Sequence, residues 1–166
     1  MKKLKYGGKK TLIYLVFLIS LLVICSLFLF TLKQNSILKT NLDIKLPKPA
    51  SEIKVADTNS LIYNDRYVIL HYDLQSIEKI RNEFQWISAP IMRDDNKIDN
   101  FLEFLKMNPD LPKNEINRID GYYPNYSLDN LYFEKNNRDP NNNEGDEIIM
   151  VLDPTTNNLY VFESYL

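Results

Sequence analysis

The sequence predicts an α+β protein. An N-terminal transmembrane helix is followed by a small extracytoplasmic domain with a mainly antiparallel sheet and two to three helices on one face. Three observations carry this expectation. A run of 22 uncharged residues extends unbroken from Thr11 to Leu32. Four later stretches, at residues 51–56, 66–72, 147–153 and 159–165, are rich in β-branched and aromatic residues and read as strands. Between them, Ile98, Phe101, Leu102 and Leu105 recur at helical spacing.

The apolar run reads TLIYLVFLISLLVICSLFLFTL. As a helix it would be about 33 Å long, enough for a hydrocarbon core of about 30 Å. It lacks the polar face that a helix on a soluble core would show. Residues 1–10 hold five Lys and no acid, whereas residues 33–42 hold only Lys33 and Lys39. The positive-inside rule then places the basic tail, 1–10, in the cytoplasm and the later domain outside the cell membrane. A cleaved signal peptide is the rival reading, but its apolar region is shorter and ends at small residues. This run exits through Leu27–Leu32, and Cys25 follows Leu22-Val23-Ile24, a poor setting for lipidation.

Residues 33–50 read as a juxtamembrane spacer, stiffened by Pro47 and Pro49. The extracytoplasmic domain is expected over 51–166. In Ser51–Ala56, Ile53 and Val55 fall on one face of a strand. Arg66–Tyr72 is apolar on both faces, which suits a buried strand. Asp73 offers a helix N-cap, and Leu74, Ile77, Ile80 and Phe84 supply an apolar stripe after it. Trp86 should pack beneath that helix, before Ala89-Pro90 breaks the chain. In the second helix Lys97, Asp99, Asn100, Glu103 and Lys106 face away from the stripe, and Pro109 ends it. Pro112 near a first turn suggests a short third helix through Arg118.

Asp120-Gly121 marks a turn. Tyr122–Tyr126 and Leu131–Lys135 read as strand pieces interrupted by Pro124, and Asn136–Asp146 reads as a polar loop. Glu147–Asp153 and Leu159–Tyr165, joined through Pro154–Asn158, form a hairpin. Short connections make the last three strands an antiparallel meander.

The C-terminal third carries Asp120-Gly121-Tyr122-Tyr123, then Leu131-Tyr132-Phe133, then Val151-Leu152-Asp153-Pro154-Thr155 and Leu159-Tyr160-Val161-Phe162-Glu163. This pattern resembles small uncharacterised single-pass membrane-anchored or lipoprotein-like proteins of low-GC Gram-positive bacteria. The resemblance covers about 45 residues. It implies a membrane-attached protein with a C-terminal hairpin and brings no catalytic motif.

Charge and composition narrow the function classes. Residues 33–166 hold 15 basic against 22 acidic residues, a net −7, which disfavours nucleic acid as a partner. One Cys excludes an internal disulfide framework and a Cys-rich zinc site. Asp139, Asn141 and Asn143 have the alternate spacing of calcium ligands. However, Glu144 stands at the turn-Gly position, Gly145 comes one place late, and Met150 occupies the bidentate acid position. A solvated loop is the simpler reading, and no metal or cofactor is expected. His71 shares a strand face with Tyr67 and Ile69 and has no second His to pair with, so a hydrogen-bonded sheet residue is expected. Asp94, Asp95 and Asp99 suit the N-terminus of the second helix, where acids complement its dipole.

No catalytic residue is assigned. The aromatic residues Tyr122, Tyr123, Tyr126, Tyr132, Phe133, Tyr160, Phe162 and Tyr165 divide between a sheet core and a surface. Tyr122, Tyr123 and Tyr126 are the candidate binding residues, because Pro124 and nearby turns place them at the sheet's edge. The expected function class is a membrane-tethered interaction module for a protein or cell-envelope partner, held in the lipid bilayer by its helix. A wall-acting hydrolase and a structural subunit of a membrane complex are the alternatives.

Overall fold

The computed structural model describes residues 14–25, 37–58, 64–89, 96–124, 127, 129–139 and 145–165. The chain divides into two compact units, Met1–Lys39 and Thr40–Leu166. In the first, residues 14–25 form a helix, α1, with its side chains exposed throughout. No helix among the described residues is long and apolar enough to cross a membrane. The basic tail 1–10 and the remainder of the expected 11–32 span lie outside the described residues.

The second unit is an α+β domain. Its strands are β1 (Ser51–Asp57), β2 (Asn64–His71), β3 (Ile87–Ser88), β4 (Leu131–Asn136), β5 (Glu147–Asp153) and β6 (Asn158–Tyr165). Its helices are α2 (Leu74–Glu83), α3 (Lys97–Met107) and α4 (Lys113–Gly121). The strands form one sheet in the order β1-β2-β6-β5-β4-β3, and every neighbouring pair is antiparallel. The meander β4-β5-β6 and the β5-β6 hairpin match the sequence expectation. The pairing of β2 with β6 over eight residues, Asn64↔Tyr165 to His71↔Asn158, joins the two halves of the domain.

Residues opposite one another in an antiparallel pair share a face. One face therefore carries Ile69, Tyr160, Val151 and Tyr132, and next to them Tyr67, Phe162 and Ile149. These residues make the main core with Ile98, Leu102 and Leu105 of α3, Ile119 of α4, and Leu111. Tyr67 stacks on Phe162 at 4.5 Å between ring centroids, and Phe101 meets Phe162 edge-on at 5.6 Å.

The other face carries Val68, Leu70, Ile148, Met150, Leu152, Leu159 and Val161, all fully buried. Phe133 belongs to this face, opposite Met150. Phe84 and Trp86, which follow α2, lay their rings against Phe133 at 5.1 and 5.9 Å. The Trp86 indole N–H also donates to the Ile80 carbonyl at 3.2 Å, so it packs beneath α2 as expected. The expectation of helices on one face is thus corrected. α3 and α4 cover one face, while the end of α2 and its aromatic pair lie on the other. The sheet needs both covers because β2, β5 and β6 are apolar on both sides.

Local differences have local causes. A register shift between Lys54 and Ala56 makes β1 bulge, so Val55 and Ala56 are both buried while Ile53 is 41% exposed. Ile53 stands opposite Ile69 and so shares the core face with Val55 as alternation predicts, but on the edge strand it stays largely uncovered. Asp73 caps α2 by accepting the Ser76 N–H at 2.7 Å, as expected. Leu74, however, is 71% exposed. At 3.6 residues per turn, Leu74 and Ile80 point about 120° apart, and only Ile77 and Ile80 are buried.

Residues 40–50, expected as a spacer, belong to the compact unit. The Thr40 N–H donates to Glu163 Oε1 at 3.1 Å, the Asn41 N–H donates to the Asp146 carboxylate, and Lys135 Nζ donates to the Leu42 carbonyl at 2.6 Å. At the other end of this strap, the Ala50 N–H donates to the His71 carbonyl at 2.8 Å.

Candidate functional site

Tyr122 and Tyr123 follow α4 directly. The Tyr122 N–H donates to the carbonyls of Arg118 and Ile119, closing the helix. Its carbonyl accepts the Tyr67 hydroxyl, and Pro124 just beyond is buried. The backbone is thus pinned to the core, while the side chains of Tyr122 and Tyr123 are 39% and 44% exposed. Tyr126 lies outside the described residues. Residues 122–124 are not a strand piece as the sequence suggested, because the Tyr67 hydroxyl of β2, rather than a neighbouring strand, bonds the Tyr122 carbonyl.

The other aromatics divide as their strand faces dictate. Tyr132 and Phe162 are buried, and Phe133, Tyr160 and Tyr165 are half-buried. Burial pushes the Tyr165 phenol up to about 12, with Asp57 and Glu163 adding to the rise. Burial likewise raises Tyr160, against a hydrogen bond with Asn158 that lowers it. Both phenols remain protonated donors at neutral pH.

His71 ends β2 on the surface, its Nδ1 3.0 Å from Asn158 Oδ1 on the paired strand. This is the hydrogen-bonded sheet histidine that the sequence suggested. Asp99 sits in the first turn of α3, whereas Asp94 and Asp95 lie outside the described residues. Asp139 is exposed, and Asn141, Asn143 and Glu144 lie outside the described residues. Gly145, at φ +128°, is fixed by space as well as by φ. A Cβ there would meet Arg138 Cα and the Asn137 carbonyl oxygen at 2.9 Å. Among the described residues, no group of three or more acidic, His or Cys side chains could hold a metal ion.

One charged cluster was not singled out by sequence reasoning. Arg66 donates to Glu163 at 3.0 Å and to Glu52 at 2.6 Å. The Glu163 side chain is completely buried and that of Arg66 nearly so. Glu163, Ile148 and Lys135 stand opposite one another on β6, β5 and β4, with Arg66 next in the row on β2. A signal for this was present: Glu163 continues the face begun by Leu159 and Val161, so alternation places an acid among buried side chains. On the opposite face, Ser164 Oγ donates to Asp65, and Thr58 Oγ1 accepts the Asp65 N–H at 2.7 Å. Burial raises the Asp65 carboxyl above its ordinary range, opposed by the Ser164 hydrogen bond and the positive charge of Arg138.

The chain matches no family model, no curated protein and no solved structure.

Proposed function

We propose that the chain is a membrane-tethered interaction module, with 11–32 spanning the cell membrane, 1–10 in the cytoplasm and the sheet domain outside. The observation that carries this reading is the 22-residue uncharged run behind five Lys, followed at Thr40 by a separate compact unit. Binding is favoured because the described residues offer an exposed aromatic pair on a pinned backbone, Tyr122 and Tyr123. Rigid aromatic side chains supply contact area at low entropic cost. The partner is a protein or an envelope component.

A reporter active only in the cytoplasm, fused after Leu166, should remain inactive in cells, while the same reporter fused before Met1 should be active. The reverse pattern overturns the topology. Replacing Tyr122 and Tyr123 by Ser should abolish cross-linking of the full-length protein to its neighbour in intact membranes. Unchanged cross-linking removes this surface from the proposal.

A further inference from the structure

The strap, residues 40–50, is held by groups that read its backbone. Glu163 takes the Thr40 N–H, Asp146 takes the Asn41 N–H, and Lys135 takes the Leu42 carbonyl. No side chain of the strap takes part in these three bonds. Glu163 and Lys135 flank Ile148 across two strand spacings, about 9.5 Å, and the strap between their contacts bends at Thr40 and Leu42 before a left-handed Asp43 at φ +50°. Leu42 is buried, as is Ile148 in the middle of the row. The fit is imperfect at one point. Thr40 Oγ1 is buried without a hydrogen-bond partner among the described residues, an arrangement that disfavours the closed state.

We propose that Glu163, Asp146, Lys135 and the apolar floor at Ile148 form a peptide-binding groove that the chain's own strap fills in cis. The ligand class is a short peptide that bends at its first and third clamped residues, as the strap does. It offers two successive backbone N–H groups and then a carbonyl on a leucine-sized residue. Because the clamps bind amides and a carbonyl, a peptide in trans satisfies them as well as the strap does. A β-branched apolar residue in the place of Thr40 avoids the orphaned hydroxyl. The strap is tethered at high effective concentration, so it excludes a competing peptide until it is loosened. The groove deepens the interaction-module reading by naming the class of partner, and it does not depend on membrane topology.

The test uses the full-length protein in detergent micelles. The probe is a fluorescently labelled synthetic peptide with the sequence of residues 39–46, made also with Val in place of Thr40. Asn41→Pro removes the amide held by Asp146. Hydrogen exchange at residues 40–46 should then rise at least tenfold, with the strands at 147–163 still protected. The peptide should bind this variant at least tenfold more tightly than it binds the wild type, and the Val peptide more tightly again. Adding Glu163→Gln should weaken that binding. If the strap exchanges freely and the peptide still binds no better than to wild type, the proposal is overturned. Should Asn41→Pro lose strand protection, Leu42→Ala replaces it, since that change leaves every clamp in place, and the same comparison decides. A reporter result against the topology leaves the groove standing, and a failed peptide assay leaves the topology standing.

Discussion

Arg66→Met tests the buried charged row directly. The Glu163 side chain is completely buried and only 6% of the Arg66 side chain is exposed, so the pair is screened far less than a surface pair. Methionine preserves most of the apolar stem but takes away the guanidinium that donates to Glu163 at 3.0 Å, while the Thr40 N–H still donates to the carboxylate. Removing one partner of a buried pair costs about 3–5 kcal/mol, chiefly for stranding the other charge. The second contact of Arg66, to Glu52, involves a side chain that is 39% exposed and contributes less than about 1 kcal/mol. Urea unfolding of the 40–166 unit, followed by the fluorescence of Trp86, is the assay. With a slope of about 2 kcal/mol per molar, the midpoint should fall by roughly 2 M. Glu52→Gln should move it by less than about 0.5 M. The double variant Arg66→Met, Glu163→Leu should be more stable than Arg66→Met alone, because no charge is then left buried. A loss under about 1 kcal/mol in Arg66→Met, or a double variant that merely sums the single losses, refutes the reasoning.

Leu102 is fully enclosed in the α3 core, so Leu102→Ala should cost about 2–5 kcal/mol in the same assay. Asp65 has a raised folded-state pKa. Its contribution is therefore most favourable at pH below its ordinary value of 3.8, and it diminishes as pH rises from there through the folded value. Asp65→Asn should remove that downward slope, so the stability difference between variant and wild type should shift in the variant's favour between pH 4 and 7. Asp153 behaves oppositely: burial raises its carboxyl, but hydrogen bonds from Thr155 and Thr156 outweigh this and lower it. Asp153→Asn should therefore cost stability at pH 7, and the cost should shrink as pH falls below about 4. Tyr122→Ser with Tyr123→Ser should leave the unfolding free energy within about 0.5 kcal/mol, since Tyr122 holds Tyr67 through its backbone.

What was legible in the sequence follows from the range of the signal. The β5-β6 hairpin, the Asp73 cap and the α3 stripe are each specified within 19 residues or fewer, and each forms as read. The pairing of β2 with β6 joins residues about a hundred positions apart, and no local pattern encodes it. Alternation marks Glu163 as buried, but that Arg66 is its partner depends on this pairing and was illegible. The strap was missed for a related reason. A polar stretch with two prolines resembles a linker, and only Glu163, Asp146 and Lys135, supplied by distant strands, turn it into part of the fold. The placement of α2 failed on a different point. Strand runs apolar on both faces require a cover on each side of the sheet, whereas the order of elements does not say which helix goes to which side. Of the candidate site, the exposure of Tyr122 and Tyr123 was legible, but the Tyr67 hydroxyl that holds the Tyr122 carbonyl was not, because it comes from a strand 55 residues earlier.

The central position of β6 bears on how the domain is made. Among the described strands β6 leaves the ribosome last, yet it fills the gap between β2 and β5. Until it arrives, β2 and β5 each present an apolar strand with an open edge, a ready template for pairing with the wrong chain. The nascent domain cannot complete its sheet piecemeal, and its slowest event should be the capture of this final strand between two partners that are already waiting.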